Sequence, residues 1–194
     1  LLEVSKRYDG VDKNYVESIG LGAAGKEESF WSQLKNSMKM KDPLQWSSAF
    51  ARITWRLGTS KALSDLKERV SATELSMSDR LFAIESIAFI NHPDAPDALF
   101  SLGQSLKDPK IKQSITRWIL KRSLTAWNQY NLQERLKVSG VYDPEKIKLI
   151  PISTPEPSTK TTLNVNSIAL LKGDAAKGKN TIMRCTMCHE VNGV

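Results

Sequence analysis

Apolar residues recur along this chain at three- and four-residue steps, the spacing that gathers them on one helix face. A polar entry segment ends in the turn signal Tyr8-Asp9-Gly10, and a helix is expected over Asp12–Ile19 with Tyr15, Val16 and Ile19 on one side. Gly20-Leu21-Gly22 is expected to break it, because two close glycines lower helix propensity and admit positive φ. Phe30, Trp31, Leu34 and Met38 carry the next helix, Glu27 to Met38, and Pro43 suits the first turn of the one after.

From Leu44 to Lys121 the pattern becomes a series of paired helices. Trp46, Ala49, Phe50, Ile53, Trp55 and Leu57 make a heavily apolar helix that stops at Gly58, and Ala62, Leu63, Leu66 and Val70 make its shorter partner. Ser78 is the expected cap of the next, over Leu81, Phe82, Ile84, Ile87, Ala88 and Ile90, which breaks at Asn91-His92-Pro93. Ala95, Ala98, Leu99, Leu102 and Leu106 form its partner. Asp108-Pro109 then opens a helix with Ile111, Ile115, Trp118, Ile119 and Leu120 inward. Helical character continues through Leu124, Trp127, Leu132 and Leu136 to about Ser139, where Gly140 ends it. Helix starts near Phe50, Phe82 and Ile115 repeat with a period in the low thirties. The expected fold is all-α: a HEAT-like alpha-solenoid of paired antiparallel helices over residues 1–150, with a compact non-repeating bundle as the alternative. Neither the tetratricopeptide nor the ankyrin signature is present.

Pro151, Pro155 and Pro157 among serines and threonines mark residues 151–163 as an extended linker, with a short helix at Pro144–Ile150 before it. Residues 164–194 form a further segment. It begins with a short helix over Val165–Leu171 for which Asn164 is the candidate cap. Asp174 then caps a helix that runs through Gly178 and Ile182 toward Cys185. Gly178 costs that helix about 1 kcal/mol relative to alanine. It marks either the close approach of another helix or simple tolerance near a helix end.

The 194 residues carry 40% apolar and 25% charged side chains, ordinary values for a globular protein, with a formal charge of +7. That charge favours anionic partners without selecting nucleic acid. Lys107, Lys110, Lys112, Arg117, Lys121 and Arg122 form a local basic cluster, but the tryptophans are expected in the core and no base-reading motif accompanies them. No nucleic-acid partner is expected; the partners expected are other domains of a parent protein and an acidic redox protein. No run of 18 apolar residues suggests a membrane span. Leu1-Leu2-Glu3-Val4 shows neither an initiator methionine nor a signal pattern, so the chain reads as the interior of a longer polypeptide. Spacing assembles no catalytic group, and His92 before Pro93 is explained by its turn.

Cys185-Thr186-Met187-Cys188-His189 carries the strongest chemical signal: a C-x-x-C-H run, made from the only two cysteines, that reads as covalent haem attachment. Two thiols three residues apart can each add across a vinyl group on one porphyrin edge, and the adjacent imidazole can then ligate the iron. His189 is thus the candidate metal ligand, with Cys185 and Cys188 as the candidate thioethers to haem c. Three other readings stay open. A structural zinc site would have to recruit distant His92. A thioredoxin-like dithiol would want a βαβ setting, and nothing resembling a strand precedes Cys185. Incidental thiols or a plain disulfide are the third. Covalent attachment requires reduced thiols at a maturation system, which in bacteria lies outside the cytoplasmic membrane, so an extracytoplasmic location is expected.

Gly173-Asp174-Ala175-Ala176-Lys177-Gly178-Lys179, the C-x-x-C-H run and Asn192-Gly193 together resemble the opening of a class I cytochrome c domain. The resemblance implies that Gly178 lets a C-terminal helix cross closely, and that His189 is the proximal ligand of an electron-transfer haem. Ile182 stands where that family usually presents an aromatic. Lys172, Lys177 and Lys179 would then favour an acidic redox partner, or simply form a solvated helix face. In the family a methionine reaches the iron from the opposite side many residues later. Here the chain ends five residues after His189, so residues 164–194 are expected to be the incomplete start of such a domain. Tyr8-Asp9-Gly10, the stretch Tyr15 to Ala23 and Trp55-Arg56-Leu57 resemble the HEAT portion of multidomain haem-binding proteins described in planctomycetes. That likeness implies a parent with a sugar-dehydrogenase-like β-propeller, its catalytic site lying outside this chain.

Overall fold

The computed structural model describes residues 1–146, 165–170 and 172–182, and all regular structure among them is helical. The helices are α1 (Leu2–Ser5), α2 (Lys13–Gly22), α3 (Glu27–Ser37), α4 (Ser48–Leu57), α5 (Leu63–Ser71), α6 (Met77–Ala88), α7 (Asp94–Ser105), α8 (Pro109–Ser123), α9 (Leu132–Val138), α10 (Val165–Ala169) and α11 (Ala175–Ile182). Short 3-10 turns stand at Pro43–Gln45, Ser60–Ala62, Asn128–Tyr130 and Pro144–Lys146, the last covering the start of the short helix expected at Pro144–Ile150, whose remaining residues lie outside those described. The chain divides into two compact units, Leu1–Ile147 and Lys148–Val194.

Within the first unit, α2 packs on α4, α4 on α6 and α6 on α8, while α1 packs on α3 and α5 on α7. Contacts of α3 with α4, α5 with α6 and α7 with α8 join the two rows into layers. The starts of α4, α6 and α8 at Ser48, Met77 and Pro109 follow at steps of about 30 residues, the length of one helix pair. Local chemistry sets these starts. Asp12 accepts from the Asn14 and Tyr15 amides, Ser47 from Phe50, and Asp108 from Lys110 and Ile111, with Pro109 in the first turn. Gly58, at φ +56°, closes α4 as expected, its N–H donating to the Thr54 carbonyl.

One core runs from Tyr8 to Leu136. At one end Trp46 meets Phe50 edge-on at 4.9 Å, and Trp31 lies 6.2 Å from Phe50. Three indoles have acceptors: Trp31 donates to Thr54 Oγ1 (2.9 Å), Trp46 to the Met40 carbonyl (3.2 Å) and Trp127 to the Ile90 carbonyl (3.1 Å), whereas the buried Nε1 of Trp55 has none among the described residues. Ile53, Ile84, Ile87, Leu99, Ile111, Ile115 and Ile119 fill the space between the layers. Two arginines are buried with them. Arg69 donates to the Pro43 carbonyl, lies over the Trp46 ring and approaches Asp79 at 3.9 Å. Arg80 donates to the Val70 carbonyl at 2.9 Å and approaches Asp108 at 4.0 Å. Burial pushes Arg69 below its ordinary pKa, and Asp79 partly restores it.

Four local expectations are corrected. The Gly20-Leu21-Gly22 break is absent: α2 continues to Gly22, with neither glycine at positive φ. Gly20 instead leaves room for Arg56, since a Cβ there would overlap its guanidinium group. The cap of α6 is Ser76, which accepts from the Asp79 amide, not Ser78. Trp46 precedes α4 in extended backbone rather than opening the helix. Finally, the helix to Ser139 is two elements: α8 ends at Ser123, and Asn131 takes a left-handed φ of +48° before α9.

Candidate functional site

Asp174 builds the approach to the C-x-x-C-H run. Its Oδ1 accepts from the Ala176 and Lys177 amides at 3.0 and 3.1 Å, satisfying donors left free by the first turn of α11. Its backbone carbonyl accepts from Gly178, and Thr181 Oγ1 donates back to Lys177 at 2.9 Å. The helix ends at Ile182, three residues before Cys185. Cys185, Cys188 and His189 lie outside the described residues, as do Asn164 and the linker at 151–163. The first helix among the described residues of this unit is Val165–Ala169, ending before the expected Leu171, which lies outside them.

A Cβ on Gly178 would meet nothing within 4 Å among the described residues. Val165, Ile168, Leu170 and Ile182 are exposed, so the described part of this unit holds apolar side chains without a core of its own. Lys172, Lys177 and Lys179 are likewise exposed. His92 is half-exposed in its turn, with Nδ1 accepting from the Asp94 amide at 3.3 Å. No group of three metal-ligating side chains gathers among the described residues, and no helix among them is long and apolar enough to cross a membrane.

The basic cluster of 107–122 is divided by its helix. Lys112 and Arg117 line a cleft of about 770 Å³ with Gln104, Thr116 and Tyr142. Lys121 and Arg122 turn toward aromatic rings: Lys121 Nζ lies 5.0 Å from the Trp118 centroid, and Arg122 lies 5.2 Å from Phe89 and 5.9 Å from Trp127. Burial pushes the Arg122 pKa down, and its Nε has no acceptor. On α4, Arg52 lies 5.8 Å from the Phe82 centroid.

These contacts expose what periodicity concealed. Trp55 and Trp118, expected in the core, are only half-buried, and with Phe82 and Phe89 they form a row of rings across α4, α6 and α8. For Trp55 the available signal was its offset of two positions from inward Ile53; Trp118, three residues after Ile115, carried no such signal. Comparison with protein-family models, with curated proteins and with solved structures finds no match to this chain.

Proposed function

We propose that this chain carries a covalent haem c attachment site at Cys185, Cys188 and His189 and serves electron transfer. Residues 1–150 act as a HEAT-like scaffold toward other domains or an acidic redox partner. The single observation that carries the reading is the donor set Cys185-Thr186-Met187-Cys188-His189. Two thiols separated by two residues and followed directly by an imidazole fit a porphyrin with two vinyl groups and one axial position. The capped helix α11, ending at Ile182, and the exposed apolar side chains beside it support the same reading.

Bound haem supplies a reversible one-electron change at iron. Cys185 and Cys188 would fasten the porphyrin edge through thioethers, which fixes the ring in place without reliance on affinity. His189 would ligate the iron through one ring nitrogen, and a hydrogen bond from the other would set its tautomer and basicity. Lys172, Lys177 and Lys179 put positive charge beside the site, which speeds the approach of an acidic partner at low salt and loses effect as the Debye length falls. The attachment chemistry requires an extracytoplasmic maturation system.

Expression with haem-maturation machinery tests the reading. The purified, denatured protein is expected to keep its visible haem spectrum and to retain the pigment through acidified organic solvent. The Cys185→Ala/Cys188→Ala variant is expected to be colourless after the same extraction. Pigment that extracts completely from the parent chain, or two free thiols by intact mass, overturns the proposal.

A further inference from the structure

The ring row on the outer side of α4, α6 and α8 is left unused by haem attachment. Phe82, Trp55, Phe89 and Trp118 follow one another at centroid separations of 6.5, 5.6 and 5.5 Å. The last two contacts are edge-to-face, at 63° and 68°. Phe89 is 39% exposed, an uncommon setting for a phenylalanine packed between two tryptophans.

The ring row also carries charge. Ion pairs hold Lys35 to Asp65, Arg56 to Glu17, Arg135 to Asp97 and Lys137 to Glu145. Arg52, Lys121 and Arg122 sit over Phe82, Trp118 and Phe89, and no ion pair joins any of them to a carboxylate among the described residues. On α6, helical spacing puts Glu85 one turn from both Phe82 and Phe89 and Asp79 one turn from Phe82, and Asp79 approaches Arg69 at 3.9 Å. The face therefore combines accessible apolar area with an excess of positive charge.

We propose that this face docks an acidic segment of a protein partner, its carboxylates meeting Arg52 and Lys121 and its apolar side chains covering Phe89. The proposal rests on the scaffold reading of residues 1–150 and names the surface and the partner chemistry. Single-stranded nucleic acid fits less well. Base stacking needs an open ring face, whereas three of these four rings already hold a cation and their edges meet their neighbours. A carboxylate needs no ring face; it approaches the outer side of a cation that the ring already holds in place.

Fluorescence anisotropy on the full chain decides it, with three labelled probes: a peptide of alternating Glu and Leu, its Gln-for-Glu counterpart, and oligothymidylate. The acidic peptide is expected to bind most tightly and to weaken with added salt. Arg52→Gln/Lys121→Gln is expected to weaken it by about tenfold, and Phe89→Ser by about tenfold. Lys61→Gln on the Ser60–Ala62 turn serves as the surface control and leaves binding unchanged. Circular dichroism melts establish that each variant is folded. Equal binding of the neutral peptide, tighter binding of oligothymidylate, or indifference to both face variants overturns the proposal. The scaffold reading fails separately, if electron transfer to a partner from the haem-loaded protein is unaffected by removing residues 1–146.

Discussion

Tyr8 shows how a single side chain can be well packed and poorly satisfied. It is 5% exposed and stacks on Tyr15 at 5.6 Å, yet its hydroxyl is buried with no hydrogen-bond partner among the described residues. Tyr15, beside it, donates to the Val4 carbonyl at 2.8 Å. A buried hydroxyl without a partner costs about 1–3 kcal/mol, so Tyr8→Phe is expected to raise unfolding free energy by about 1 kcal/mol in urea titration. The pH dependence has a definite sign. Burial raises the Tyr8 pKa, because the folded state disfavours phenolate. Stability is therefore full below the ordinary phenol value of about 10 and falls as pH climbs from there toward the raised folded value. Tyr8→Phe should flatten that alkaline decline, and an unchanged decline would assign it to other groups. Asp174 was legible as a cap, and Asp12 and Asp108 as the starts of their helices, where each proves to accept from first-turn amides. Ser76 was not, since Ser78 lies within a turn of it and both have the right chemistry. Ser76 takes the role because its backbone is still extended when its hydroxyl meets the Asp79 amide.

At the scale of the element, glycine has three different uses that composition does not separate. Gly58 turns the chain into the left-handed region with the Phe89 carbonyl 3.3 Å from where a Cβ would stand. Gly58→Ala is expected to cost about 1–2 kcal/mol by thermal melting. Gly178 meets nothing within 4 Å among the described residues and lies within a helix, so Gly178→Ala in this chain should raise helicity and cost no stability. A loss of stability there would reveal a close neighbour. Gly20 belongs to neither case: propensity argued for a break, yet the helix continues, and the guanidinium of Arg56, which pairs with Glu17, occupies the space a Cβ would take. Propensity is local, and the opposing contact comes from 36 positions away in the sequence. The division between α8 and α9 was hidden for a related reason. Leu124 to Leu136 keep an apolar rhythm, but the amide of Trp127 bonds the Arg122 carbonyl and its indole reaches Ile90, which turns the backbone out of the helix.

For the whole molecule, the helical layers follow from periodicity and short connections, and both were visible in the chain. Which aromatic rings would be covered was not, because covering depends on how many layers flank a helix. The even-numbered helices have the odd-numbered row on one side, and their outer side keeps Trp55, Phe89 and Trp118 partly open. Among the described residues, every member of the core cluster, buried or packed against it, falls between Leu2 and Tyr142. A chain ended at Ile147 is therefore expected to melt cooperatively within a few degrees of the full chain. A large fall in its midpoint would mean that residues beyond 147 contribute to that core. The C-x-x-C-H run stands apart from these arguments: its legibility comes from the chemistry of three side chains and owes nothing to packing.

The two buried arginines have a mechanical consequence. Arg69 ties the turn at Pro43 to Asp79, and Arg80 ties the end of α5 at Val70 to Asp108, so each guanidinium spans one joint between successive helix pairs. Prising open either joint breaks a buried hydrogen bond from a charged donor, a loss of about 1.5–3 kcal/mol. Under tension the region from Pro43 to Asp108 should consequently give way in a single rupture rather than pair after pair, and Arg80→Met should split that rupture into two smaller steps in an optical-trap record.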